Sequence, residues 1–189
     1  YLELDKILKG KDFHILTTNQ DTQFIKLYKE EQVSEIQGDH RFFQCSECCH
    51  DGTWDAVGPV EEMIRAMGEG TSVPTELIPR CPRCGRPMTM NLRADDTFVQ
   101  DDGWYQALER YQDFLRQRQS RPLLYLELGV GMNTPGIIKY NFWQRVHQNP
   151  KASYVCINRG QAYAPHEIEP QSLCIDADIG TVLAELKNS

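Results

Sequence analysis

The sequence predicts an α/β fold, a Rossmann-like parallel sheet with a small inserted zinc-ribbon module. Three observations predict it. Short apolar strands alternate with amphipathic helices, which implies a parallel sheet covered by helices. One stretch breaks the alternation and holds two Cys-x-x-Cys pairs, Cys45/Cys48 and Cys81/Cys84. Polar or glycine-bearing turns follow the strands, where parallel sheets bind ligands beyond their carboxyl ends.

The elements follow in order. Phe13, Ile15 and Leu16 make 13–17 a buried strand, closed by the polar turn Thr18-Asn19-Gln20-Asp21. Phe24, Ile25, Leu27 and Tyr28 predict a short helix over 22–30. A second strand covers 33–36 and ends at Gln37-Gly38-Asp39. From Cys45 to Cys84 turn residues dominate, with one helix over 60–67 and a loop over 68–79. That segment has too few apolar residues for its own core, so a metal has to hold it. Leu108, Tyr111, Phe114 and Leu115 share one face of a helix over 104–119, stopped by Arg121-Pro122. A continuous apolar strand follows at 123–128. A helix over 137–148 lies between Pro135-Gly136 and Asn149-Pro150. Strands at 154–157 and 173–175 and a closing helix at 179–186 complete the chain. The organisation is therefore 1–44 Rossmann-like, 45–90 zinc-binding and 91–189 Rossmann-like.

Composition bounds the function. The 189 residues suit one domain with a small insert, and 40% hydrophobic with 25% charged residues is ordinary for a globular chain. No apolar run reaches the ~18 residues of a membrane-spanning helix. Tyr1-Leu2-Glu3-Leu4-Asp5-Lys6 has no basic start and no apolar stretch, so it does not read as a signal peptide, and it lacks an initiator Met. A net charge of -7 argues against a broad nucleic-acid footprint, leaving only a local patch at Arg110, Arg116, Arg118 and Arg121. Neither nucleic acid nor membrane is an expected partner. Seven cysteines without a secretory signal favour metal over disulfides and a cytoplasmic location.

The cysteine quartet is the strongest motif. Zinc takes four thiolates in a tetrahedron, and each pair supplies two ligands from one turn. Cys81-Pro82-Arg83-Cys84-Gly85 resembles a zinc knuckle, with Gly85 freeing the backbone to curl over the metal. Four thiolates leave no open position, so this Zn2+ is structural. Cys49 stands beside Cys48 as an alternative ligand, and a redox pair at Cys45/Cys48 is the rival chemistry. Cys156 and Cys174 sit in apolar strands and read as inert core residues. Gly129-Val130-Gly131-Met132-Asn133 follows a buried strand and lets backbone approach a phosphate, although Thr134 replaces a third glycine. Asn158-Arg159 again lies just past a strand.

The order of these motifs resembles the sirtuin family of NAD-dependent enzymes, over the chain from Phe13 to Leu186. Thr18-Asn19-Gln20-Asp21 is similar to the family's Gln-Asn-Ile-Asp turn, and Glu35-Ile36-Gln37-Gly38 to its His-Gly element. Gly129-Val130-Gly131 is similar to Gly-Thr-Ser, Asn158 to the asparagine on the adenosine ribose, and Ala177-Asp178-Ile179 to the turn near the adenine. The resemblance implies NAD as co-substrate. Asn19, Gln20, Asp21, Gly129, Val130, Gly131, Asn133, Asn158, Arg159 and Ile179 would then contact it. Asn19, Asp21 and Gln37 would be catalytic.

Gln37 replaces the deacylase histidine, and a carboxamide cannot titrate as an imidazole does. Asn91 to Phe98 also departs from the deacylase stretch that lines the acyl-lysine tunnel. With Pro135-Gly136-Ile137-Ile138-Lys139-Tyr140, these departures resemble the macrodomain-linked (class M) sirtuins of bacteria and fungi. What that implies is protein ADP-ribosyltransfer to a lipoyl-carrier protein of the glycine-cleavage type, linked to oxidative stress and to a macrodomain hydrolase. The alternatives are an NAD-dependent protein-lysine deacylase and a non-catalytic zinc-ribbon binding module. The family's opening Gly-Ala-Gly-x-Ser turn does not occur, so the N-terminal sheet strands are expected to be absent from this chain.

Overall fold

The computed structural model describes residues 1–133 and 135–186, so Thr134 lies outside the described residues. The chain divides into two units, 15–111 and 1–14 with 112–189. The division falls within one helix, between Tyr111 and Gln112.

Helix α1, Leu2–Leu8, opens the chain. It was not expected from the sequence, because only Leu4 of its residues is buried and its periodicity is faint. The 15–111 unit starts with β1, Ile15–Thr17, and β2, Val33–Glu35, paired in parallel from Ile15 opposite Val33. No helix forms over 22–30. Thr22 takes a positive φ of 58°, and a single turn closes where the Leu27 and Tyr28 amides both donate to Phe24 O. The segment is too short to repay helix nucleation. It ends in a 3-10 turn, Glu30–Gln32.

The centre of this unit is β3, Gly38–Cys45. It pairs antiparallel with β4, Trp54–Asp55, on one side and β5, Met88–Leu92, on the other. Helix α2, Val57–Met67, and a 3-10 turn at Thr75–Leu77 lie between β4 and β5. No residue of α2 is buried. The sheet is held instead by a satisfied polar network. Gln44, 1% exposed, donates to Thr97 O at 2.8 Å and accepts from Asn91 Nδ2 and the Val99 amide at 3.0 Å each. Helix α3, Asp102–Arg116, begins here, capped by Asp101 Oδ1 on the Trp104 amide at 2.9 Å. Ser34 Oγ donates to Ala107 O and Trp104 Nε1 to Ile36 O, which ties β2 to α3.

The other unit holds β6, Leu123–Leu128, β7, Ala152–Ile157, and β8, Ser172–Ile175, in one parallel sheet with β7 central. Helix α4, Lys139–Gln148, packs on β6 and β7. Val146 is fully buried and the Phe142 ring lies 4.9 Å from that of Tyr125. Gln171 Nε2 lies within hydrogen-bond distance of Val146 O, Asn149 O and Ala152 O, so its two N–H groups tie down the turn between α4 and β7. Helix α5, Ile179–Leu186, packs on α1. Cys156 is buried as expected, but Cys174 is exposed. The reason is topological, since β8 is an edge strand with one neighbour.

Gly38 has no room for a side chain. Its φ is 108°, and an added Cβ would lie 2.1 Å from Asn91 O across the β3–β5 ladder. Gly38→Ala should therefore cost at least about 2 kcal/mol, read as a lower urea midpoint.

Candidate active site and metal centre

In the 15–111 unit the two parallel strands end side by side. The Ile36 amide donates to Thr17 O at 3.2 Å, so the turn after β1 and the turn after β2 leave from the same edge. Thr17 Oγ1 accepts from the Asn19 amide at 3.0 Å and bends the chain there. Gln20 Nε2 donates to Gln37 O at 2.9 Å. Asp21 Oδ1 accepts from the Gln23 amide at 3.2 Å. The structure thus joins the turn of Asn19, Gln20 and Asp21 to Gln37.

One group beside Gln37 was not singled out from the sequence. Glu35 lines a cavity of about 130 Å³ with Asp39, Arg41, Trp104 and Arg110. Arg41 takes Asp39 with two bonds, Nε at 2.8 Å and Nη2 at 2.6 Å to the same oxygen. Glu35 Oε2 is buried with no hydrogen-bond partner among the described residues. Burial first, and the neighbouring Asp39 charge second, push the Glu35 carboxyl up to about 8 against the pull of Arg41.

In the unit of 1–14 and 112–189, three loops leave the carboxyl ends of β6, β7 and β8 and are tied together. Gly129 has φ 71°, and its amide donates to Ile157 O at 3.1 Å. A Cβ there would lie 3.0 Å from Ile179 Cδ1, so the backbone passes directly under the start of α5. Asn158 Nδ2 donates to Val130 O at 3.0 Å. Gln161 Oε1 accepts from the Met132 amide at 3.1 Å, beside Gly131 and Asn133. Arg159 reaches Asp178 at 3.6 Å, an exposed pair. Asp178 caps α5 through the Thr181 amide, which holds its carboxyl below the usual carboxylate range. The structure therefore gathers Gly129, Val130, Gly131, Asn133, Asn158, Arg159 and Ile179. Gln161 was missed because nothing local marks it; its role comes from the fold bringing 161 beside 132.

The candidate metal site gathers Cys49 where the sequence reading has Cys48. The sulfurs of Cys45, Cys49, Cys81 and Cys84 lie within 4.8 Å of one another. Cys45 Sγ is 3.5 Å from Cys84 Sγ, and Cys49 Sγ is 3.6 Å from Cys81 Sγ. A tetrahedral Zn2+ with sulfurs at about 2.3 Å needs edges of about 3.8 Å, so the four thiols fit it. Cys48 lies outside this cluster. It takes φ 47° at the tip of a turn where its amide donates to Cys45 O at 3.1 Å, and it is exposed. The turn carries the next residue, Cys49, into the cluster. The Cys49 and Glu47 amides hold the Cys45 thiol down at about 6, which favours the thiolate that zinc requires.

His50 supports the cluster. Its Nδ1 accepts from the Gly52 amide at 2.9 Å, which leaves Nε2 as the N–H facing Cys81 Sγ at 3.8 Å.

No family model matches the chain. It is 36% identical over 97% of its length to a protein of Staphylococcus aureus named protein ADP-ribosyltransferase, of which it spans 58%. It is 31% identical over 92% of its length to a Fusarium oxysporum protein named probable bifunctional ADP-ribose hydrolase/ADP-ribosyltransferase, of which it spans 31%. Its backbone is similar to a mutant Sir2 solved with a p53 peptide and NAD, with a TM-score of 0.63, 16% identity and coverage of 99% of this chain and 68% of that one.

Two outcomes follow from the geometry. Cys48→Ser should keep one equivalent of zinc per chain and Cys49→Ser should lose it, as read by metal analysis of the purified protein. The folded Glu35 carboxyl keeps its proton up to about 8, while the unfolded one keeps it only to about 4.5. Its contribution to stability is full below the lower value and is lost as pH rises through the upper one. Glu35→Gln should therefore gain stability relative to the unsubstituted protein between pH 5 and 8.5, measured as urea midpoints at both values.

Proposed function

We propose that this chain, which has the sirtuin fold and is a sequence relative of a protein ADP-ribosyltransferase, transfers ADP-ribose from NAD to a protein with release of nicotinamide. One observation carries the reading. Gln37, a residue that cannot titrate, is tied through Gln20 to the turn of Asn19 and Asp21. The bond is to the Gln37 backbone carbonyl, and it holds this residue at the same strand edge as Asn19 and Asp21, where a carboxamide can hydrogen-bond a ribose or an acceptor but supplies no base. The name of the S. aureus relative supports the same chemistry.

The roles are as follows. Asn19 and Asp21 orient the nicotinamide ribose. Gln37 hydrogen-bonds the ribose hydroxyls or the incoming acceptor. Breaking the N-glycosidic bond develops positive charge on the ribose, so these residues act by positioning and by electrostatic complementarity. Gly129, Val130, Gly131 and Asn133 present backbone to the phosphates, since Gly129 leaves no side chain in the way. Asn158, Arg159 and Ile179 take the adenosine end, and Gln20 holds the Gln37 turn in place. Zn2+ on Cys45, Cys49, Cys81 and Cys84 is structural.

The acceptor we favour is a lipoyl-carrier protein of the glycine-cleavage type, with a macrodomain hydrolase as the reversing partner and a link to oxidative stress. The support is the resemblance of residues 91–98 and 135–140 to macrodomain-linked sirtuins, and the hydrolase half of the Fusarium relative's name. A cytoplasmic location is part of the same reading, because a four-thiol zinc site needs a reducing compartment.

Full-length protein incubated with labelled NAD and lipoylated carrier should transfer label to the carrier. Asn19→Ala should lower the rate about 100-fold, the cost of one lost positioning donor, with zinc content unchanged. Absence of label transfer by the unsubstituted protein to any added protein would remove the reading.

A further inference from the structure

We propose that the buried Glu127–Lys139 ion pair is a latch that fixes residues 129–133 and 135–138, between β6 and α4, in their nucleotide-binding shape, making both positioning residues for NAD. The proposal rests on the NAD reading above and deepens it.

Glu127 and Lys139 are each 1% exposed, and Lys139 Nζ lies 2.5 Å from Glu127 Oε1. They bracket the loop. Glu127 is the penultimate residue of β6 and Lys139 the first of α4. The carboxylate is itself held from β7. The Tyr154 hydroxyl donates to Oε2, and Cys156 Sγ donates to Oε1 at 3.3 Å. Tyr154 and Cys156 are fully buried. Lys139 therefore meets an acceptor that cannot follow it if α4 moves.

Among the described residues the loop has several ties, the first from the Gly129 amide to Ile157 O at 3.1 Å. Two come from side chains of the next loop, Asn158 Nδ2 to Val130 O and the Met132 amide to Gln161 Oε1. Others stay inside its second half, where Asn141 Nδ2 donates to Gly136 O and Ile137 O. None of these ties spans the loop from β6 to α4, and the ion pair does. An apolar pair of similar volume would serve packing equally well. What the charges add is one permitted position. A slip of α4 along the sheet would leave two unpaired charges in the core, whereas apolar side chains would tolerate it.

A loop that contacts the nucleotide away from the reacting bond contributes equally to ground and transition states, so its loss appears in KM and not in kcat. The test uses full-length protein and the variant Glu127→Gln/Lys139→Met, which removes both charges and leaves none unpaired. The expected result is a KM for NAD at least ten-fold higher, kcat within two-fold, and a melting temperature within a few degrees of the unsubstituted protein. Hydrogen exchange at 129–133 and 135–138 should be at least ten-fold faster, with 123–128 and 152–157 unchanged. Lys139→Arg, which keeps the charge but not the point contact, should give the same pattern in weaker form and serves if the double variant does not fold. Unchanged KM and unchanged loop exchange would overturn the latch. So would a joint fall of kcat, melting temperature and strand protection, which is what a merely structural pair produces. Exchange is measured without NAD. If the unsubstituted protein failed to bind NAD, the functional reading would fall while the exchange comparison still decided whether the pair orders the loop.

Discussion

Parallel pairing in register, Ile15 with Val33 in one unit and Leu123 with Ala152 in the other, decides where the chemistry of this chain can be. Parallel strands send successive chain exits to one edge. In the 15–111 unit that edge receives the turn of Asn19 and the turn of Gln37, joined by Gln20. In the other unit it receives the loops at Gly129, Asn158 and Ile179, which touch through Val130 O and the underside of Gly129. A change in strand order would separate residues that no local signal relates.

Each unit keeps its edge in place by burying polar groups, and the two do so differently. The 15–111 unit uses neutral amides, Gln44 and Asn91, which bond each other and the backbone of Thr97 and Val99. The other unit buries charge, at Glu127 and Lys139. An unmade amide bond costs roughly 1–3 kcal/mol and a broken buried ion pair about 3–5 kcal/mol. Both penalties fall on misregistered structures, so both act as constraints on geometry more than as sources of stability. The thiol quartet has the same character. Helix α2 buries none of its residues, so the segment around it lacks an apolar core and depends on the cluster at Cys45, Cys49, Cys81 and Cys84.

Much of the fold was legible because its signals are local. The strand at 123–128 and the helix at 179–186 fall where apolar runs and flanking turns put them. The helix at 104–119 emerges as Asp102–Arg116, shifted at its ends by the Asp101 cap. The failures were cases in which a longer-range term prevailed. Phe24, Ile25, Leu27 and Tyr28 have helical spacing, but the segment forms only one turn before the chain must enter β2. Cys174 has an apolar setting in sequence, yet lies on an edge strand. Glu35 and Gln161 carry no local mark, and each matters through a neighbour distant in the chain.

By itself the sequence determined residue chemistry and local period. It established which segments alternate, that four thiols come from two turns, that a carboxamide stands at Gln37 and that glycines follow the strand at 128. These depend on side-chain type and on spacing within a few residues. The tertiary structure alone decided which atoms meet. It chose Cys49 over Cys48, because a left-handed turn at Cys48 points the next thiol inward. It joined Gln20 to Gln37 and Glu127 to Lys139, because strand pairing and helix packing set distances that separation along the chain does not encode.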